Sequence, residues 1–391
     1  MNGIVEINRY VLRPNGPGDA KQLLDRCGLH AVYPLDEFLE ISDLPFKMTP
    51  EVMLKVAYWA ARSPSYEEAS RSLFDAYGMT ISDDRIRKVT NYVGQMVFDE
   101  DRKRAEEAYS RFIQGKWQFP NEKRRGVLYI ETDGSMINTR AIDACGSSWR
   151  ENKLGEIFSS DNIHKWTNKK TGKSQHRILK REYVGYAGSV SEFKKHLLAC
   201  AIRNGYGLYE QVVLLADGAD WIRNVREELF PDAIQILDYF HLCENVNTYA
   251  KHLLGTDENL YRPWADKMCE YLKLGQHEDV LAELGKRARP TSCPIDLPGY
   301  ISKNADCIDY PTYERSGFFI GSGAIESGNK NVIQQRLKQS GMRWNIETAQ
   351  QLITLRTKYK SNLWAQDVSS LVRNRFKDNR SRKQALDSMS E

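Results

Sequence analysis

Apolar positions along the chain change period near residue 120. Between residues 50 and 98 they recur at helical spacing. Val52, Leu54, Val56, Ala57 and Trp59 follow Pro50, and Leu73, Phe74 and Tyr77 follow the capping sequence Ser65-Tyr66-Glu67-Glu68. Gly78 is suited to end that helix. Ser82 is suited to start the next, with Ile86, Val89 and Val93 inside and Arg85, Arg87 and Lys88 outside. Helix, short turn, helix is the outline of a helix-turn-helix, and equally of a plain helical hairpin. Residues 99–119 are dense in charge and read as a solvated connecting helix, closed by Pro120.

Beyond Pro120 the apolar residues form short continuous runs, the mark of strands buried on both faces. Val127 to Thr132 is one such strand, expected to end at Asp133-Gly134. Leu154 to Phe158 and Ile178 to Tyr186 extend it into a meander, separated by the polar, Lys/Arg-rich stretch His164 to Lys180. Ser189 to Asn204 is helical. Gln211 to Ala216 is a second buried strand, ending at Asp217-Gly218. Trp221 to Leu229 is a helix, and Ala233 to Leu237 a third buried strand, ending at Asp238. Three meander strands, helix, strand, helix, strand is the order of an RNase H-like α/β core. The expected division is an irregular arm over 1–49, a helical, helix-turn-helix-like domain over 50–120 and the first part of the core over 121–238. An all-helical insertion over 239–320, the C-terminal helices of the core over 321–365 and a basic tail over 366–391 complete it.

Composition narrows the class. At 391 residues the chain is long enough for two or three domains. Lys and Arg number 56 against 52 Asp and Glu, a net charge of only +4, so nucleic-acid binding would need its cations gathered in patches. The seven cysteines are widely spaced with no CxxC pair, which supports neither a zinc ribbon nor a redox motif and fits free thiols in a reducing cytosol. No apolar run approaches a membrane span and no secretory leader is visible, so a cytoplasmic protein is expected.

The chemistry is concentrated in carboxylates. Asp133 and Asp217 each follow a buried strand and precede a glycine, which lets another group approach closely. On neighbouring strands, two such carboxylates repel unless a cation lies between them. Mg²⁺ takes hard oxygen ligands and keeps sites for phosphate. Alternatively, each Asp-Gly is only a turn. Glu326 lies in Gly321-Ser322-Gly323-Ala324-Ile325-Glu326-Ser327, where small residues permit tight packing at a helix start and the helix dipole favours an ionised acid. A first-turn acid without catalytic role fits the same residues.

These three acids and their surroundings resemble the catalytic triad of DDE transposases from bacterial insertion sequences, of the Lre and Kra types, related to the Mutator-like class. The resemblance runs through Glu131-Thr132-Asp133-Gly134, Leu215 to Ile222, Ile236 to His241, Gly321 to Ser327 and Arg336 to Trp344, in the family's order over residues 50–365. It implies metal-dependent DNA cleavage at insertion-sequence ends followed by strand transfer into target DNA. It makes Asp133, Asp217 and Glu326 the ligands of two Mg²⁺ (or Mn²⁺) ions, and implies a homodimer or higher assembly at the bacterial nucleoid. Asp238 and His241 form the D-x-x-H element of Mutator-like transposases, an active-site support by resemblance and a helix cap with a packed imidazole otherwise. Upstream of residue 50 the chain departs from the pattern: a longer DNA-binding region, sometimes with paired cysteines, is expected, and Cys27 stands alone.

Two basic segments are candidate DNA contacts. Lys165, Trp166, Lys169 and Lys170 lie on an expected hairpin loop, where cations track phosphates and the indole stacks on an unpaired base. Arg336, Lys338, Arg343 and Trp344 follow Glu326 and are expected to grip the scissile strand. The run Arg373 to Lys383 would add sequence-independent affinity, or is simply solvated surface. Two other classes remain open: an RNase H-like nuclease without strand transfer, and a non-catalytic DNA-binding protein.

Overall fold

The computed structural model describes residue 36 and residues 41–42, 44–172 and 174–377. Most of the 1–49 arm, including Cys27, and the tail from 378 onward lie outside the described residues. The chain divides into two compact units, residues 1–97 with 363–391, and residues 98–362.

In the first unit, α1 (Pro50–Arg62) opens with Pro50 at its first turn and the Thr49 hydroxyl accepting from the Val52 amide. Its inner face is Met53, Leu54, Val56, Ala57, Ala60 and Ala61. In α2 (Tyr66–Tyr77) Ser65 accepts from the Glu68 amide at 3.0 Å, and Gly78 closes the helix at φ +67°. The capping box is half made: the Glu68 carboxylate pairs with Arg71 instead of returning to Ser65. Of the expected stripe only Leu73 is buried, while Phe74 and Tyr77 are exposed. The third helix, α3 (Asp83–Ile113), joins the expected second helix and the charged connector without a break. Arg87 and Lys88 are exposed and both pair with Asp84.

The second unit is built on a mixed five-stranded sheet. Its strands are β1 (Arg124–Asn138), β2 (Trp149–Ser159), β5 (Glu182–Tyr186), β6 (Tyr209–Ala216) and β7 (Ile234–Leu237), in the order β5-β2-β1-β6-β7. Between β2 and β5 the chain forms a separate hairpin, β3 (Ile163–Thr167) with β4 (Ser174–Ile178), so the expected single strand from Ile178 is two strands of different sheets. β2 runs antiparallel to β1 and β5, whereas β6 is parallel to both β1 and β7.

The parallel strands are covered on both faces, which is why they read as unbroken apolar runs. On one face Leu128, Ile130 and Leu214 meet Phe193, Leu197 and Leu198 of α4 (Val190–Arg203) and Val225 and Leu229 of α5 (Asp220–Leu229). On the other, Tyr129, Val213, Leu215 and Ile236 meet the helical segment that follows β7. Its main helices are α6 (Tyr239–Leu254), α7 (Glu258–Lys273) and α8 (His277–Gly285), followed by the short α9 (Leu297–Lys303) and α10 (Tyr310–Arg315). The chain then returns to the sheet edge as α11 (Gly323–Gly328), a π-helical stretch (Asn329–Gln334), a last turn α12 (Gln335–Leu337) and the long α13 (Ile346–Lys360). Among the described residues no helix is long and apolar enough to cross a membrane.

Leu214 is fully buried at the middle of β6. Leu214→Ala is expected to lower stability by about 2–5 kcal/mol, read as a shift in the urea midpoint at unchanged slope.

Candidate active site

The register of the parallel strands sets the geometry. Glu131 of β1 lies beside Leu215 of β6, and Leu215 beside Ile236 of β7. Side chains on a strand return to the same face every second residue. Two residues beyond that row come Asp133, within β1, and Asp217 and Asp238, just past the ends of β6 and β7. The expected end of β1 at Asp133 is corrected: the strand runs on to Asn138, held by its antiparallel partner β2. It is β6 that stops, at Ala216, and this leaves Asp133 half-buried above an open edge.

Each carboxylate has a distinct environment. Asp133 accepts from the Asn329 side chain. Burial, reinforced by the nearby Asp217 charge, lifts the Asp133 carboxyl to about 6, against the opposing pull of its hydrogen bonds and of His241. Asp217 closes a turn by accepting from the Ala219 amide at 3.0 Å. Gly218 follows at φ +80°, a conformation that favours glycine, and a Cβ there would lie 2.7 Å from the end of the Leu237 side chain. The Tyr300 hydroxyl donates to the main-chain oxygen of Asp217 at 2.5 Å, fixing the turn from α9.

Asp238 is buried and has its acceptor capacity committed. One oxygen accepts from the Phe240 and His241 amides at 2.7 and 3.1 Å, capping α6, and the other accepts from the amide (3.0 Å) and hydroxyl of Ser322. Asp238 is therefore both the helix cap and the anchor of the loop that presents Glu326. His241 lies partly exposed, 3.8 Å from the Glu244 carboxylate.

Glu326 is exposed on the first turn of α11. Burial and then the Asp238 and Glu244 charges hold its carboxyl above the usual range, with His241 opposing. His241 thus acts on both Glu326 and Asp133, with Asp238 and Glu244 beside the former and Asp217 beside the latter. Among the described residues no three His, Cys, Asp or Glu side chains converge as a ligand set. The Asp133–Asp217 pair fits a hard divalent cation in donor type and mutual repulsion; Glu326 is not gathered with it in this conformation.

Several residues that hold this edge carry little signal in the sequence. Glu131 and Glu156 are cross-strand partners and are both fully buried. Glu131 accepts from the Ile325 amide at 2.9 Å, and Arg181 donates to Glu156 at 2.8 Å. Arg356, buried on α13, donates to the carbonyls of Asn331 and Val332 at 2.5 and 2.6 Å, serving the widened π stretch just after α11. A clue to Glu131 was available: a glutamate inside an otherwise apolar buried run is rare unless it has a partner.

The two basic segments fare differently. Lys165, Lys169 and Lys170 are exposed on the β3–β4 hairpin, with Trp166 40% exposed and stacked on His164 at 5.6 Å. In the second segment Lys338 and Arg343 are exposed, but Arg336 and Trp344 are not. Arg336 lies 5.2 Å over the Trp344 ring, and the indole N–H donates to the Leu337 carbonyl at 3.1 Å. Both are buried here, and Trp344 exchanges main-chain bonds with Asn138 and Arg140 beside the end of β1. In the tail, Arg373 pairs with Glu51 at 2.6 Å.

The family model described as Uncharacterised protein family (UPF0236) matches residues 23–363. No curated protein matches the chain.

Two outcomes follow from the buried acids. Asp238→Ala strands the Ser322 and α6 amides and should cost about 2–3 kcal/mol in chemical denaturation. Burial lifts Glu156 to about 7. The protonated form carries no penalty below the ordinary glutamate range, and stability is lost as pH rises through about 7. The melting temperature of Glu156→Gln, relative to wild type, should therefore rise between about pH 5 and about pH 8; a flat difference would contradict the assignment.

Proposed function

We propose that this chain, which belongs to the uncharacterised family UPF0236, is a DDE-type transposase with an RNase H-like core, acting on DNA at insertion-sequence ends. One observation carries the reading: Asp133 and Asp217 come two residues beyond one paired row of the parallel neighbours β1 and β6, with the helix bearing Glu326 bonded to β1. Strand order β5-β2-β1-β6-β7, with β2 reversed, supports the RNase H-like reading of the mixed sheet.

Asp133 and Asp217 would hold a Mg²⁺ or Mn²⁺ ion, two being expected with Glu326 completing the set; when bound, such ions neutralise charge building on a phosphate. The protein supplies position. Asp217 is locked by its turn and by Tyr300, Asp133 by Asn329, and the start of α11 by Asp238. In the reaction water attacks the scissile phosphodiester, the P–O3′ bond breaks and a 3′-hydroxyl is released. That hydroxyl then attacks a target phosphodiester, displacing the target's own 3′-oxygen. No bond to the protein forms.

The β3–β4 hairpin, with Lys165, Lys169, Lys170 and Trp166, is the DNA-tracking surface of this reading, and Lys338 and Arg343 are a second. The helical segment 50–97, exposing Arg85, Arg87 and Lys88, is an end-recognition element. A homodimer or larger assembly would pair two ends.

With labelled duplex bearing the element's ends and Mg²⁺ or Mn²⁺, wild type should nick at the ends and join them to target DNA. Asp133→Ala should cut at least about 100-fold more slowly with end binding retained. Cutting without joining would favour a nuclease, and binding without cutting in either metal would favour a DNA-binding role. Replacing Lys165, Lys169 and Lys170 together by alanine should flatten the log–log salt dependence of binding by about 2–3 units.

A further inference from the structure

Glu131 takes no part in the chemistry above, yet it is a fully buried carboxylate two residues from Asp133. The start of α11 explains what it does. The helix lacks a local cap, because the Ser322 side chain donates to Asp238 rather than accepting from its own helix. The first intrahelical bond runs from the Glu326 amide to the Ser322 carbonyl at 3.1 Å, so amides before Glu326 need outside acceptors. The Ile325 amide finds Glu131, 194 positions earlier in the chain, at 2.9 Å.

A second bond repeats this contact one turn on. Glu131 accepts from Ile325, and Asp133, two residues along the same strand face, accepts from Asn329, four residues along the helix. Two strand residues advance roughly 6.6 Å and four helix residues roughly 6 Å. Strand and helix therefore run in step, and Glu326 sits between the two attachment points. On the neighbouring strand Glu156, the cross-strand partner of Glu131, is engaged by Arg181, and Gly328 of α11 packs close there: a Cβ would lie 2.7 Å from Tyr183 and 3.2 Å from Glu156.

We propose that Glu131 is a positioning residue for Glu326: by capping the Ile325 amide from β1 it sets where the third carboxylate stands relative to Asp133. The catalytic meaning of this role rests on the transposase reading; the cap itself does not. Both are tested with the full-length protein. Hydrogen–deuterium exchange over 321–328 reads the cap, and cleavage and binding of end duplex read the consequence. Glu131→Gln keeps an acceptor oxygen and should retain native exchange and cleavage within about 3-fold of wild type. Glu131→Leu keeps the bulk without the acceptor. It should speed exchange at 321–328 while leaving β6 protected, and slow turnover about 100-fold with end affinity unchanged. Should Glu131→Leu not fold, Glu131→Asp, which draws the acceptor back toward the strand, takes its place with the same expectation.

Native exchange over 321–328 in the Leu or Asp variant would overturn the cap. Faster exchange with unimpaired cleavage, or a Gln variant as slow as Leu, would overturn the positioning role. A wild type that does not cleave at all removes the transposase reading and with it the role of Glu131 toward Glu326, while exchange still decides the cap.

Discussion

Parallel pairing of β1 with β6, and of β6 with β7, is the constraint on which the acidic edge depends. Pairing Glu131 with Leu215 and Leu215 with Ile236 puts Asp133, Asp217 and Asp238 each two residues beyond one paired row. A slip of one residue on any strand would turn its aspartate to the opposite face, against α4 and α5. The register is held by apolar residues on both faces, among them Leu214 and Leu215. Packing that has no chemistry of its own thus fixes where the chemistry stands.

The three aspartates are not equivalent. Asp238 is buried with its oxygens committed to backbone and Ser322. Asp133 and Asp217 keep part of their surface open. Glu131, Glu156 and Arg356 are also buried nearby, each at a desolvation cost. Glu131 and Arg356 bond directly to one short segment, residues 325–332, and Glu156 stands beside Glu131 in the strand register. Stability alone would favour apolar side chains at such places. What these groups provide is fixed attachment points for a segment rich in glycine and small side chains.

Surface charge follows a similar logic of context. Cations on the β3–β4 hairpin project from two strands that pair only with each other, so Lys165 and the turn lysines stay in water. Arg336 and Lys338, two residues apart on the turn after the π stretch, point in opposite senses, one to the Trp344 ring and one to solvent. Spacing along a helix decides this, since positions two apart do not share a face.

Much was determined by the sequence alone: the strands at 127–132 and 211–216, the helices between and after them, the cap at Ser65, the stop at Gly78 and the Asp-Gly pairs. Each is a local property, written in apolar period, capping residues or glycine. The exposed hairpin cations were legible for the same reason. Tertiary structure alone decided that β1 outruns Asp133, that Phe74 and Tyr77 face water, that Arg336 and Trp344 are interior, and that Glu131 caps a helix nearly two hundred residues away. These depend on which element lies against which. Period and propensity report the preferences of one segment, whereas register, burial and long-range capping arise only when the segments meet.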